Sequence, residues 1–381
     1  MHFQLTDEQR ALQSAVRAYL RDRFGSRQLR AFYEDPDSDG VPAALWQAFG
    51  EQGWLAVLVP EEYDGIGLGL LDAAVLARAF GAGTVPGPWL GTVLAGEAVR
   101  LAGSKEQQSR RLPDLATGAL VGAVALLRAG SSPSPAGAPA TACEGLLSGR
   151  LELVEYPSAA DVLVVAARDG LYLVDPQGSG VAVTGHDALD RTTRLGTIVL
   201  DGAPGEKLAG STPDIVQDLL DRAAVLVAND LVGIARKALT DTVEYDKNRV
   251  QFGKPVGSFQ AVKHHLADLH LAVTFAEHAA TYAAHAADVD AADRRLAASI
   301  AKSKAADAAR DATGAMIQYH GGIGYSWEHD THFYFKRSKR LEAAYGDAVQ
   351  HRERIARLLI DGKHGHPALS AAGTEMSTGF G

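Results

Sequence analysis

The residues best equipped for chemistry lie in the segment 248–260, where Arg249, Gln251, Phe252 and Phe259-Gln260 are arranged around Gly253-Lys254-Pro255. A guanidinium in such a turn can grip phosphate oxygens with two parallel charge-assisted hydrogen bonds, where a lysine would offer only a point charge. Other clusters say less. Gly65-x-Gly67-x-Gly69 and Gly321-Gly322-x-Gly324 have nucleotide-loop spacing, but neither follows a strand inside a βαβ unit, which excludes a dinucleotide fold of that type. His264, His265, His270, His329, His332 and His351 have no carboxylate or cysteine at ligand spacing, and Cys143 is the only cysteine, so no metal site is expected. Ser299-x-x-Lys302 matches a nucleophile motif, but in an Ala-rich helix it reads as a chance pairing of solvated side chains. Asp230 flanks an apolar helical stripe and is a candidate base; its ordinary reading is a solvated or paired aspartate.

The elements that must hold these residues follow from periodicity. Leu220, Ala224, Val227, Leu231, Ile234, Ala238, Thr242 and Tyr245 step by threes and fours along one helix face. Val262, Leu266, Leu269, Val273, Ala276, Ala280 and Ala283 do the same after the turn, with Ser258 as the expected N-cap and Gly253-Lys254-Pro255 as the stop of the first helix. Thr212-Pro213 opens a run of four or five long helices reaching residue 362, which must bury their stripes against one another as a bundle. Upstream, short Val- and Leu-rich runs at 151–154, 161–166, 171–174, 181–183 and 197–200 read as strands of a small β domain. Before them, capping boxes at Thr6-x-x-Gln9 and Ser104-x-x-Gln107 start helices, and further helices are expected at 46–54 and 71–80. The fold class is therefore a multidomain α plus β chain. It has an N-terminal helical domain (1–118), a middle β-barrel or sandwich domain (119–211), a C-terminal helical bundle (212–362) and a flexible tail (363–381).

A net charge of −9 with no basic run argues against a nucleic-acid partner. The start Met-His-Phe-Gln-Leu lacks the build of a signal peptide, and apolar runs such as 119–127 are too short to span a membrane, so a soluble cytoplasmic protein is expected.

Arg249-x-Gln251-Phe252-Gly-x-Pro-Val-x-x-Phe259-Gln260 and Gln318-x-x-Gly321-Gly322-x-Gly324-Tyr325 resemble, in order and spacing, the signatures of the acyl-CoA dehydrogenase family. The N-terminal Pro60-Glu-Glu-Tyr-Asp-Gly-Ile-Gly loop and the segment 103–118 resemble it too, so the likeness covers nearly the whole chain. The resemblance implies FAD as cofactor, with Arg249, Gln251, Phe252, Gln318, Gly321 and Gly322 binding it across a dimer interface, Arg249 on the pyrophosphate. It also implies an acyl-CoA thioester substrate and an electron-transfer flavoprotein as acceptor. In that family a Glu removes the α-proton while the β-hydrogen leaves as hydride to the flavin.

Here the chain departs from the pattern. Counted without gaps from Gly322-x-Gly324, Tyr345 stands at the position of the Glu and Asp347 at that of the following Thr, in Ala344-Tyr345-Gly346-Asp347. A phenol with pKa near 10 is protonated at neutral pH and makes a poor base. The family's alternative base position falls on Arg222-Ala223-Ala224, without a carboxylate, and the two flavin-ring motifs are lost at 126–133 and 153–157. The resemblance thus implies an oligomer, homo- or hetero-, with another chain of the same type, this one lacking the base. A self-sufficient enzyme using Asp230, or a silent acyl-thioester binder, stays open. Association is expected through small-residue faces such as Ala279-Ala280 and Ala283-Ala284.

Overall fold

The computed structural model of the chain describes residues 5–35 and 40–360; the tail 363–381 lies outside them. Six helices come first: α1 (Asp7–Arg23), α2 (Ser26–Glu34), α3 (Ala43–Glu51), α4 (Leu70–Ala82), α5 (Trp89–Ala102) and α6 (Lys105–Thr117). Both capping boxes form: Thr6 Oγ1 accepts from Gln9 N at 3.2 Å and Ser104 Oγ from Gln107 N at 3.2 Å, each glutamine returning the bond. The helix expected at 46–54 begins and ends three residues earlier. Helices α2 and α5 were not expected. α5 is buried on nearly every side, from Trp89 through Val99, so it shows no apolar stripe to read.

The middle region holds β1 (Gly122–Ala125), β2 (Ala140–Cys143), β3 (Leu146–Glu155), β4 (Val162–Ala167), β5 (Gly170–Val174), β6 (Val181–His186) and β7 (Leu195–Lys207). Pairing runs β4 to β2, β3, β7, β5 and back to β4, closing a small barrel, with β1 parallel to β4 and β6 antiparallel to β7. Closure leaves these five strands no edge between them. Leu147, Leu151, Leu163, Val165, Ile198 and Leu200 fill its interior.

Five helices complete the chain: α7 (Pro213–Asn248), α8 (Gln260–Asp288), α9 (Arg294–His320), α10 (Thr331–Ala343) and α11 (Ala348–Ile360). α7 starts as expected, with Thr212 capping and Pro213 in its first turn. It stops at Asn248, earlier than the expected break at Gly253, because the chain turns into a two-stranded hairpin, β8 (Val250–Gln251) against β9 (Lys254–Pro255). Phe252 (φ 50°) and Gly253 (φ 77°) make its turn, the doubly left-handed geometry that matches strand twist. Ser258 is not the cap of α8: its hydroxyl donates to the Pro255 carbonyl at 2.7 Å, and Phe259 holds the cap position without a side-chain bond. The faces at Ala280, Ala283 and Ala284 pack inside this chain, so they are not free for a partner. What α8 exposes instead is Leu271 and Phe275, 55% and 61% accessible.

The spine is α7, crossed closely by α4. A Cβ on Gly233 would lie 2.0 Å from the Arg78 carbonyl, and one on Gly81 would lie 2.0 Å from that of Asp230. Helix–helix approach here depends on missing side chains at both positions. Gly233→Ala is therefore expected to force α4 and α7 apart, with an overpacking penalty of about 1–3 kcal/mol. A lowered thermal midpoint checks this, with Gly314→Ala, whose Cβ meets nothing within 4 Å, as the control that leaves the midpoint intact or raised.

Candidate functional site

The segment that resembles a cofactor grip is presented outward. The Arg249 guanidinium has no hydrogen-bond or ion-pair partner among the described residues, and Gln251 only closes onto the neighbouring Val250 carbonyl at 2.8 Å. Phe252 at the hairpin tip is 92% exposed. At the end of α9, Gln318 is exposed and Gly321 (φ 63°) stops the helix as its C-cap. A Cβ at Gly322 would meet nothing within 4 Å and its φ is ordinary, so nothing in this chain requires glycine there. Tyr325, one turn on, is 89% exposed. Gly324 differs, being locked under the Ile317 carbonyl, which a Cβ would approach to 2.6 Å.

Beneath this surface lies a residue the sequence reading passed over. Asp246, on the last turn of α7, is fully buried and neither carboxylate oxygen has a hydrogen-bond partner. Gly257, in the 3-10 turn after the hairpin, packs against its backbone and Cβ, and Tyr319 of α9 feels its charge. Burial pushes the carboxyl up to about 6.

The second centre is the turn between α10 and α11. Here Ala344-Tyr345-Gly346-Asp347 borders a cleft of about 260 Å³ against residues 126–131 and 152–155 of the barrel. Tyr345 adopts φ 54° and Gly346 φ 98°. Burial raises the phenol well above its ordinary value, Glu155 adding to the rise and Arg340 opposing it. The turn is held from within the bundle. Lys302 on α9 is buried, not solvated as its motif suggested, and its ammonium donates to the carbonyls of Glu342 at 2.9 Å and Gly346 at 2.8 Å. Burial pushes it down to about 7. His351 Nε2 donates to the Tyr345 carbonyl at 3.0 Å, and burial pushes this imidazole down to about 3, so it stays neutral. Asp347 is an N-cap: its Oδ1 accepts from Gln350 N at 2.8 Å and Gln350 Oε1 accepts from Asp347 N at 3.0 Å.

Among the described residues no carboxylate lining this cleft is unengaged. Glu155 accepts from Arg340 at 2.5 Å, and Glu152 pairs with Arg150 at 3.0 Å. Asp230 is not free to act as a base: Arg337 grips it through Nε at 3.2 Å and Nη2 at 2.5 Å. Arg222, at the alternative base position, pairs with the buried Glu97 at 2.9 Å. On the barrel side, β3 carries an irregularity between Leu151 and Val154, where Leu153 (φ 57°) is 57% exposed. Among the described residues no His, Cys, Asp and Glu grouping could hold a metal ion, and no helix is long and apolar enough to cross a membrane.

Comparisons with known proteins agree on one relationship. Residues 6–119 match the model of the acyl-CoA dehydrogenase N-terminal domain and residues 214–360 that of the C-terminal domain. The acyl-CoA dehydrogenase IpdE2 of Mycobacterium tuberculosis is 36% identical, over 87% of this chain and 91% of its own. IpdE2 of Mycolicibacterium smegmatis is 34% identical over 93% and 98%. Among solved structures, a variant of the steroid ACAD Tcur3481-Tcur3483 superposes with a TM-score of 0.85 at 30% identity, covering 93% of this chain and 98% of that one. The ChsE4-ChsE5 complex of Mycobacterium tuberculosis superposes with 0.85 at 27% identity, covering 94% and 98%.

Asp246 generates a pH-dependent expectation. Its folded-state value lies above that of an unfolded aspartate, so on raising the pH the unfolded chain releases this proton first. The penalty on the fold accumulates from about pH 4 to about pH 6 and is present in full above that. Asp246→Asn should therefore raise the thermal midpoint at pH near 8 and leave it unchanged near pH 4. A gain of equal size at both values would show that the effect is not titration of this carboxyl.

Proposed function

The chain belongs to the acyl-CoA dehydrogenase family of FAD-dependent oxidoreductases, and from that premise we propose that it completes a partner chain's flavin site and does not run the dehydrogenation alone. The observation that carries this reading is a contrast within one molecule. The cofactor-gripping elements stand exposed and unpartnered, while among the described residues the carboxylates near the position of the base are engaged and that position holds a half-buried tyrosine whose phenol stays protonated.

The two ends of a flavin dinucleotide fit this chain unequally. At the phosphate end, Arg249 offers a free guanidinium, Gln318 a free amide, and Gly321-Gly322 a backbone that a ligand can approach without meeting a side chain. At the ring end the residues do not fit. Leu126 to Ser131 offer only the Ser131 hydroxyl and the Arg128 cation, and Leu153-Val154-Glu155 present an apolar side chain and a paired carboxylate. In this family the flavin supplies the acceptor for the substrate's β-hydride. Arg249, Gln318 and the two glycines support contact with that cofactor from its phosphate end, across an interface, with the partner providing base and ring pocket. The exposed Phe252, Tyr325, Leu271 and Phe275 support burial against such a partner. The ChsE4-ChsE5 relative is, by name, a complex of two differently named chains, which supports a hetero-oligomer; the steroid ACAD relative directs the search to ring-bearing acyl-CoA thioesters. An electron-transfer flavoprotein is the acceptor we assign to the assembled enzyme. A self-sufficient enzyme using Asp230 is disfavoured by the two-point grip of Arg337.

The test is an artificial-acceptor assay over straight, branched and ring-bearing acyl-CoAs, on the chain alone and on its complex with a base-bearing family member. The lone chain should turn over about 10²–10⁴-fold more slowly than the complex, the usual deficit of a missing base. Tyr345→Glu should not rescue it, because the ring end stays unbuilt. Robust turnover by the unaccompanied wild-type chain would overturn the partner reading. In the complex, Arg249→Ala should lower flavin retention with the fold preserved; unchanged occupancy would remove Arg249 from the phosphate grip.

A further inference from the structure

A cavity of about 670 Å³ opens where α1 and α2 meet α4, α7, α8 and α10, away from both centres described above. Its size is that of small-molecule sites. Leu20, Leu29, Ala79, Ala82 and the Tyr334 ring give it apolar walls.

Its charges are unbalanced. Arg78 on α4 is buried, and its guanidinium donates to Glu277 at 2.9 Å, Asn229 at 2.7 Å and Thr281 at 2.9 Å, while its Nε is sealed without an acceptor. Arg236 on α7 reaches the other oxygen of Glu277 at 2.6 Å, with further bonds to Thr274 at 3.2 Å and His270 at 3.4 Å. Arg17 on α1 stands at the rim with no partner among the described residues. After burial and the opposing pull of Glu277, the positive charges of Arg17 and Arg236 help push the Arg78 value down, so the three cations lie within electrostatic reach of one another. The remaining charges of the wall are neutralised locally. Lys237 pairs with Asp241 at 2.7 Å, Arg21 with Asp22 at 2.9 Å, and Asp330 with Arg30 at 2.5 Å. Three guanidiniums thus face one carboxylate. A structural role for Glu277 would need one of them, and gathering the others at a cavity mouth costs free energy unless an anion enters.

We propose that this cavity binds an amphipathic monoanion, a carboxylate on an apolar body, with the carboxylate held by Arg17 and Arg236 and the body lying against Leu20, Leu29 and Tyr334. A neutral hydrophobe leaves the guanidiniums unanswered. A polyphosphate would meet Glu277, Asp241 and Asp330 with more negative charge than the mouth balances. The inference does not rest on the flavin-site reading, since none of these residues belongs to the cofactor-gripping elements.

The experiment titrates octanoate, octanamide and inorganic phosphate into the full-length chain, read by calorimetry and by thermal shift. Octanoate should bind saturably, octanamide at least about tenfold more weakly, and phosphate alone without detectable saturation, since one charge-assisted contact is worth about that factor. Arg17→Ala should lower octanoate affinity about tenfold and leave the unliganded melting temperature unchanged or slightly raised, because Arg17 makes no bond among the described residues and adds repulsion to the empty mouth. Arg236→Ala is the second variant and should act in the same direction. Octanamide binding as tightly as octanoate, phosphate binding alone, wild-type affinity in Arg17→Ala, or no saturable octanoate binding would each overturn the proposal.

Discussion

Two buried arginines on α10 decide how the three regions of this protein sit together. Arg337 and Arg340 are three residues apart and so share a helix face. Arg337 donates to Asp230 on α7, to the Val85 carbonyl between α4 and α5 at 2.9 Å, and to Thr192 in the segment before β7 at 3.2 Å. Arg340 donates to Asp190 at 2.8 Å and to Glu155 at the end of β3 at 2.5 Å. Helix α10 therefore pins the barrel and the N-terminal helices to the bundle with fully engaged charges. Such ion pairs add little net stability over apolar packing, but removing one partner strands a buried charge at about 3–5 kcal/mol. The arrangement is thereby fixed more by the penalty for breaking it than by the gain from making it.

That constraint reaches into the chemistry. Glu155 beside the α10–α11 turn and Asp230 on α7 are both consumed in holding the domains. A carboxylate whose oxygens are held by a guanidinium is not positioned to reach a substrate proton. The same helix delivers Tyr345 into a turn whose carbonyls are tied to Lys302 and His351. The turn is a corner fastened from within the bundle, in keeping with the partner reading proposed above.

Much of the architecture was legible because it is written locally. Thr6, Ser104 and Thr212 cap helices through bonds spanning three residues, and four of the barrel's five closing strands, β3, β4, β5 and β7, contain the Val- and Leu-rich runs, while β2, Ala140–Cys143, has none and was not expected. The motif residues were legible by resemblance, and the structure leaves Arg249, Gln318 and Gly322 facing outward. What failed depended on partners far along the chain. Asp230 finds Arg337 and Lys302 finds the carbonyls of residues 342 and 346, contacts that leave no local pattern. The burial of α5 on all sides erased its periodicity. Small residues on α8 looked like a free docking face, yet the bundle itself uses them, because Ala-rich helices pack closely wherever a neighbour exists.

The outward-facing segment and the α10–α11 turn differ in how their local costs are met within the chain. A non-glycine residue at φ 50° is strained and a phenylalanine 92% exposed gains little from burial; within this chain Phe252 returns only the hairpin turn and an edge contact with Phe259 at 6.3 Å. Gly322 forgoes a side chain although a Cβ would meet only empty space. Asp246 below them is buried with no donor. A group bound from outside the chain would cover the Phe252 ring and could approach the Gly322 backbone, in keeping with the contact proposed above. The α10–α11 turn shows the opposite balance: its strain at Tyr345 is met by the bonds of Lys302 and His351 within the fold. Interactions left open at one end and closed at the other are what a chain would keep if its surface still meets a ligand while its own cleft no longer needs to.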